Sequence, residues 1–265
     1  MSARFELGVR DHMLRPYTML STPYNILLIG DDCQDIYQYG TVDRISPEAP
    51  VPVFKFTNEI IRAGMAGNVN ANLLNLNCSV NYVYDQTSTK TRLIDSRSGQ
   101  HIVRIDDDVT SNAVRLADDN FSVYDAIVIS DYNKGTIDYE LVEHIRHEYT
   151  GPVFVDTKKT DLARFEGCFV KINDTGYSRI RTIPTDLIVT LGSDGARYQE
   201  AIFPAQHIEV IDTCGAGDTF LAALCFGYLN NDCDIIEAIR FANLAAAVTV
   251  QHSGVYAPTM GEICG

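Results

Sequence analysis

The sequence predicts a doubly wound α/β fold: a mainly parallel sheet with helices on both faces, plus a small antiparallel β sheet projecting from it. Three observations carry this. Short apolar runs alternate with segments of helical periodicity, the runs are apolar on both faces, and a region rich in Tyr, Val, Ile and Thr interrupts the alternation.

Residues 25–29 (NILLI) form the first predicted strand, ending at Gly30. Further strands are predicted at 126–129 (AIVI), 153–155, 169–172 and 187–190. Between two of them, residues 137–149 place Leu141, Val142, Ile145 and Tyr149 on one helical face, and Gly151-Pro152 closes the helix. Such βα alternation puts ligands at the carboxyl ends of the strands. The interrupting segments, 35–42, 51–57, 90–95 and 101–106, show partial alternation, with a turn at Ser98-Gly99. They read as antiparallel strands of a lid, a dimer surface or both, or else as extra edge strands of the main sheet. Residues 1–23 form an N-terminal extension and a candidate helix packed on the body. Residues 24–265 form a single domain, with lid strands from about 35–62 and 89–107.

Composition excludes several classes. The chain has 265 residues, is 46% apolar and 21% charged, and carries a net charge of −14. No run approaches the roughly 20 apolar residues of a membrane span, and the N-terminus lacks the apolar core of a signal peptide. Seven scattered cysteines without a C-x-x-C pair argue for a reducing compartment, so the expectation is a cytoplasmic protein. The acidity argues against nucleic acid as a partner. It also means that any bound phosphate must be held by local devices such as glycine nests, helix N-termini, a few lysines or a divalent cation.

The most informative stretch is 208–230, IEVIDTCGAGDTFLAALCFGYLN. A predicted strand at 208–211 enters a turn through Gly215-Ala216-Gly217, and a helix leaves it near Asp218. The glycines let successive N–H groups converge on an anion at the positive end of the helix. A carboxylate there repels the anion but suits a base that takes a proton from a hydroxyl while the amides stabilise a transferring phosphoryl group. Shape alone leaves open that Asp218 simply caps the helix. The sequence contains neither G-x-x-x-x-G-K-[ST] nor G-x-G-x-x-G.

DTCGAGDTF resembles the D-T-x-G-A-G-D-x-F signature of ribokinase-like (PfkB-type) sugar kinases. The run RISPEAPVP within 30–53 resembles the branch that phosphorylates D-glycero-D-manno-heptose 7-phosphate. TKTRLI at 89–94, SDYNKG at 130–135, VDTKKTDLARFEG at 155–167 and VTLGSDG at 189–195 extend the similarity from about residue 25 to the C-terminus. The resemblance implies a ribokinase-like fold, with Asp218 as catalytic base and the amides of Gly215, Ala216 and Gly217 as anion hole. It further implies Asp35, Gly64 and Asn68 at the sugar, and Lys134 and Lys158 as phosphate-side lysines, Lys158 being the stronger candidate. Asn173, Thr190, Gly192, Gly195 and Asn243 fall at the nucleotide. Taken residue by residue, Asp35 also reads as a turn cap, Asn68 as a helix N-cap before 69–76, and Asn243 as a polar residue between helices. Arg44 and Lys55 on the lid are weaker candidates for a sugar-borne phosphate. A capping-box-like pair, Asp234 and Glu237, opens the helix that carries Asn243.

Three departures stand out. Met65 follows Gly64 where the family has a second glycine. The family's N-x-x-E, whose Glu organises magnesium, reads Asn173-Asp174-Thr175-Gly176, leaving Asp174 as the nearby substitute, a candidate to hold the ion's water rather than an assigned ligand. The chain is also shortened after Leu76 and between Asn173 and Thr185. The expected reaction is transfer from ATP, with Mg²⁺, to the anomeric hydroxyl of the heptose phosphate by a homodimer paired through its lids. The chain ends at Gly265, so the nucleotidyltransferase domain of some relatives is not expected. The alternatives are a catalytically silent sugar- or nucleotide-binding protein, or a kinase of another small sugar or nucleoside.

Overall fold

A computed structural model describes residues 23–116 and 120–265. The extension expected at 1–23 lies, except for its last residue, outside the described residues.

The first strand, β1 (Asn25–Gly30), passes through Asp31 into the long strand β2 (Asp32–Ile45), which turns back as β3 (Pro52–Met65). Helix α1 (Ala66–Asn75) and strand β4 (Ser79–Val83) return to the body, and the chain leaves again as β5 (Thr87–Asp95) and β6 (His101–Asp107). The second half runs β7 (Ala126–Asp131), α2 (Tyr139–Glu148), β8 (Val153–Thr157), β9 (Phe169–Asn173), α3 (Asp174–Tyr177) and β10 (Leu187–Thr190). It closes with β11 (Ala196–Tyr198), β12 (Ala201–Phe203), α4 (Ala216–Asn230), α5 (Ile235–Thr249) and α6 (Met260–Cys264).

The main sheet has eight strands in the order β12-β11-β10-β9-β8-β7-β1-β4. It is parallel from β10 to β4, and the β11–β12 hairpin makes an antiparallel edge. The predicted apolar runs all lie in this sheet. They are apolar on both faces because both are covered. On one face Ile26, Leu28, Val128 and Phe154 pack under α1, α4 and α5; on the other Leu27, Ile127, Ile129 and Val155 pack under α2 and irregular segments. Helix α4 is buried over the whole stretch from Asp218 to Gly227, as expected of a helix apolar all round. Each large apolar side chain removed from water there contributes about 1.5–3 kcal/mol. That anchoring holds the start of α4 firmly against the sheet.

The lid is a separate four-stranded sheet in the order β3-β2-β5-β6. Two of its pairings are antiparallel as expected, but β2 and β5 run parallel. The reason is topological: both strands leave the same end of the body, one from β1 and one from β4. Strands β2 and β3 are 14 residues each, longer than their apolar signals suggested.

Two further expectations change. Residues 208–211 form no strand, and Val210 and Ile211 are exposed. Beyond β12 they have no strand to pair with, and the amides of Ile211 and Asp212 donate instead to the Val250 carbonyl at the end of α5. β-forming side chains do not make a strand without a partner. Asn68 is not an N-cap: α1 starts at Ala66, and Asn68 lies inside it. A tight turn joins α1 to β4, and the single short helix α3 stands between β9 and β10.

Helix α5 is capped by Asp234, whose Oδ1 accepts from the amides of Ile236 (2.8 Å) and Glu237 (3.3 Å). The Glu237 carboxylate pairs with Arg240, so only half of a capping box forms. Asp234→Ala should cost about 1 kcal/mol, read as a lower urea midpoint with an unchanged slope.

Candidate active site

The turn before α4 is built by its own side chains. Asp212 accepts from the Cys214 amide (2.9 Å) through one carboxylate oxygen and from the Gly254 amide (2.8 Å) through the other, bracing the loop. Gly215 then adopts the left-handed conformation (φ 80°) as N-cap of α4, which is where a glycine is needed. The Ala216 amide donates to the Thr213 carbonyl at 3.4 Å, a long contact, while the amides of Gly217 and Asp218 have no acceptor within the helix and face a candidate anion site.

Asp218 lies in this first turn and is buried, 5% exposed. Its two oxygens take donors from different parts of the fold: Asn68 Nδ2 in α1 at 3.0 Å and the Tyr132 hydroxyl after β7 at 2.7 Å. Burial pushes the carboxyl up to about 6, against the two donors, which favour its charged form; Asp156 raises it further and Lys171 lowers it. The Tyr132 hydroxyl is pushed well above its ordinary range, by burial first and then by Asp218. A carboxylate has room for further donors, so a substrate hydroxyl can join the two already present.

The carboxyl ends of the central strands supply the polar floor. Asp156 of β8 and Lys171 of β9 are register partners, and Lys171 Nζ donates to Asp156 Oδ2 at 2.7 Å. With Tyr132, Lys158, Asn173, Asp174, Thr190, Gly192, Gly215, Gly217 and Asp218 they line a polar cavity of about 360 Å³. Lys158 Nζ sits 5.3 Å over the Tyr132 ring and 4.0 Å from Asp156 Oδ1. Asn173 caps α3, its Oδ1 accepting from the Gly176 amide at 2.7 Å.

A second, largely apolar cavity of about 400 Å³ adjoins the first and shares Thr190, Gly192 and Gly217 with it. Gly195, Ala216, Phe220, Ala246 and Asn243 also line it. Asn243 is fixed by donating to the Phe203 carbonyl (2.8 Å), so its amide is both a wall of the cavity and a tie between α5 and β12.

The lid contributes from its inner end. Asp35 is buried and accepts from Arg92 Nη1 of β5 at 2.5 Å. A Cβ on Gly64 would lie 2.3 Å from Asp35 Oδ2, so the position opposite this carboxylate must be glycine. Met65 is at φ 49°, a backbone that a second glycine would adopt freely, and its side chain is buried. Arg62 donates to the carbonyls of Ser253 and Val255 (both 2.7 Å), tying the lid to the loop packed against Gly215.

Thus Asp218, the Gly215–Gly217 turn, Asn68, Lys158, Asn173, Asp174, Thr190 and Gly192 gather around the two cavities, with Gly195 and Asn243 at the apolar end. Lys134 does not join them: Asp108 holds its ammonium at 2.6 Å. Lys55 pairs with Asp43, and Arg44 is exposed, both in the outer half of the lid. Sequence reasoning missed Tyr132, Asp156, Lys171 and Arg92. The signal for Asp156 and Lys171 was a charged residue set among apolar strand residues, in VFVDT and FVKIN.

Among the described residues no group of three or more His, Cys, Asp or Glu side chains could hold a metal ion by itself. The polar cavity does offer Asp156 Oδ1, buried without a hydrogen-bond partner, and the exposed carboxylate of Asp174. One or two carboxylates plus a ligand's own phosphates are what Mg²⁺ requires, so these residues fit an ion that arrives on a nucleotide.

A carboxyl held near 6 in the folded chain and near 4 when unfolded binds more protons when folded between those values. Its burial therefore destabilises the fold fully above about pH 6 and not at all below about pH 4. Asp218→Asn should raise stability at pH 8 by about 1–3 kcal/mol, an advantage that vanishes by pH 4 in denaturant titrations.

Residues 178–260 match the family described as pfkB family carbohydrate kinase. The chain is 33% identical, over 301 residues, to the bifunctional protein HldE of Campylobacter curvus, covering 90% of this chain and 64% of that protein. It therefore spans less than two thirds of that relative's length. Its fold is similar to that of Arabidopsis thaliana ribokinase complexed with ribose and ATP (TM-score 0.67, 18% identity, 91% of this chain and 97% of that one). Phosphofructokinase-2 from Escherichia coli in complex with potassium is equally similar in fold (TM-score 0.68, 16% identity, 91% and 97%). Residues 178–260 thus form a PfkB family domain, and the chain has a ribokinase-like fold.

Proposed function

We propose that the chain transfers the terminal phosphoryl group of ATP to a sugar hydroxyl, with Asp218 as the base. The observation that carries this is the position of Asp218: a buried carboxylate with a depressed acidity, in the first turn of α4, beside an open ring of amides and lining the polar cavity. The apolar cavity suits a nucleobase, and the polar cavity its phosphates. As the hydroxyl oxygen bonds to the γ-phosphorus, its proton passes to Asp218 and the bond from that phosphorus to the β-phosphate oxygen breaks, releasing ADP. The Gly215–Gly217 amides take up charge on the phosphoryl oxygens. A nucleotide-borne Mg²⁺, held by Asp156 and Asp174, would draw further charge from them.

The acceptor we favour is the anomeric hydroxyl of D-glycero-D-manno-heptose 7-phosphate. The RISPEAPVP run and the similarity to HldE support it. Asp35 and Asn68 are the sugar-side residues of this reading, with Gly64 leaving room beside Asp35. A silent binder is the second reading, favoured by the absence of a Glu at Gly176. An ADP-release assay on a panel of sugars and sugar phosphates separates the two. Turnover should be highest with the heptose phosphate, fall about tenfold per pH unit below pH 6, and drop by about 10²–10⁴ in Asp218→Asn. Nucleotide binding without turnover on any sugar contradicts the kinase reading.

A cytoplasmic homodimer paired through the lids completes the proposal. Across the lid register, Ile61, Ile36, Thr91 and Ile105 form one row, continued by Leu93 and Val103, on the face opposite Asp35 and Arg92. Ile61, Val103 and Ile105 are about half exposed, an apolar patch that a second lid would cover. Ile105→Lys should shift the protein from dimer to monomer in sedimentation equilibrium; an unchanged mass contradicts this pairing.

A further inference from the structure

The SDYNKG turn that leaves β7 is fixed more firmly than its lysine requires. Asp31, buried between β1 and β2, accepts three of the turn's amides: Tyr132 (2.8 Å) and Lys134 (3.1 Å) at Oδ2, and Thr136 (3.2 Å) at Oδ1. Asp131, also buried, accepts a fourth from Asn133 at 2.8 Å. Asn133 adopts the left-handed conformation (φ 60°). Gly135 (φ 117°) runs so close to Ser111 that a Cβ would meet its carbonyl oxygen at 2.1 Å. Two buried carboxylates and a strained asparagine thus hold one backbone path. That path does not serve Lys134, whose ammonium turns to Asp108 at 2.6 Å.

The side chain that the turn presents to the site is Tyr132. It lines the polar cavity, and its hydroxyl donates to Asp218 Oδ1 at 2.7 Å. Two ammonium groups lie over its ring: Lys158 of the body at 5.3 Å from the centroid, and Lys90 of β5 in the lid at 5.9 Å. The other donor to Asp218 is less committed. Asn68 Nδ2 reaches Oδ2 at 3.0 Å and the Gly215 carbonyl at 3.4 Å. A carboxylate held at one oxygen still turns about its Cβ–Cγ bond, because that torsion has broad wells. A donor on each oxygen, from two separate parts of the chain, fixes its plane. The rigidity of the turn therefore reaches the carboxylate through one O–H bond.

We propose that Tyr132 is a positioning residue for phosphoryl transfer, its hydroxyl fixing the Asp218 carboxylate in the plane from which it takes the acceptor's proton. On this account the SDYNKG turn contributes its tyrosine to the reaction, and its lysine only an ion pair with Asp108. The assignment rests on the reading of Asp218 as the base.

Tyr132→Phe keeps the ring, with both ammonium contacts, and removes only the hydroxyl. Carbon-13 NMR of the free protein follows the Asp218 carboxyl in it. The other groups facing that carboxyl are Asn68 of α1, Asp156 of β8, Lys171 of β9 and Lys158, and the substitution changes none of them. Losing a donor to the charged form should raise the titration midpoint by about one pH unit. ADP release should show kcat at least about tenfold lower at pH 8.5, where Asp218 is ionised in both proteins, with KM for ATP unchanged. A midpoint that does not rise overturns the assignment. So does a kcat equal to that of the wild type at pH 8.5, which would mean that Tyr132 tunes the charge without positioning it. Should Tyr132→Phe fail to fold, replacement of Tyr132 by 3-fluorotyrosine, a stronger donor, should lower the midpoint instead, and no shift overturns the proposal. A wild type that turns over no sugar contradicts the kinase reading and removes this role with it, whatever the midpoint does.

Discussion

Asp218 must stay a carboxylate in a place that excludes water, and the surrounding structure is arranged around that requirement. Burial alone would leave it protonated at neutral pH. Asn68 and Tyr132 counter this from α1 and from the segment after β7, so the charged form depends on three distant parts of the chain meeting at the head of α4. None of the three is a loop tip. Asn68 is held in turn by Asn72, which donates to its carbonyl and its side-chain oxygen. The result is a base poised near neutrality, obtained by opposing desolvation with neutral donors and leaving the ammonium of Lys171 a smaller share.

The same opposition organises the cleft. One cavity is apolar and closed by α4 and α5; the other is polar and formed where parallel strands end; the glycine-rich turn is their common wall. A molecule with a flat apolar end and an anionic tail fits both at once. An acidic chain must concentrate its few cations to bind such a tail, and Lys158 and Lys171 both line the polar cavity. The lid's inner end is locked to the body by Arg62, while its outer half carries ion pairs and exposed apolar side chains suited to an interface.

Much of this was legible in the sequence. Both-face apolar runs gave the parallel strands, because a covered strand has no polar face to reveal. The GAGD turn was legible because backbone conformation and helix dipole act locally. Contacts between distant strands were not. The parallel pairing of β2 with β5 depends on where β1 and β4 lie in the main sheet, which alternation within each strand cannot report. Residues 208–211 have strand-forming side chains and no strand beside them. Lys134 follows a strand end just as Lys158 does, yet the lid's Asp108 captures it. Asp156 and Lys171 lie in separate strands, and only the register that makes them neighbours turns them into part of a site. Met65 shows the converse case, a side chain where glycine was expected, accommodated by a strained backbone.

The state of one carboxyl group decides between a working base and a cap. Carbon-13 NMR of protein labelled at the aspartate carboxyls, with the Asp218 signal assigned by its loss in Asp218→Asn, measures it directly. The account predicts a titration midpoint near pH 6. A midpoint near 4, the range of an ordinary solvated aspartate, would contradict it.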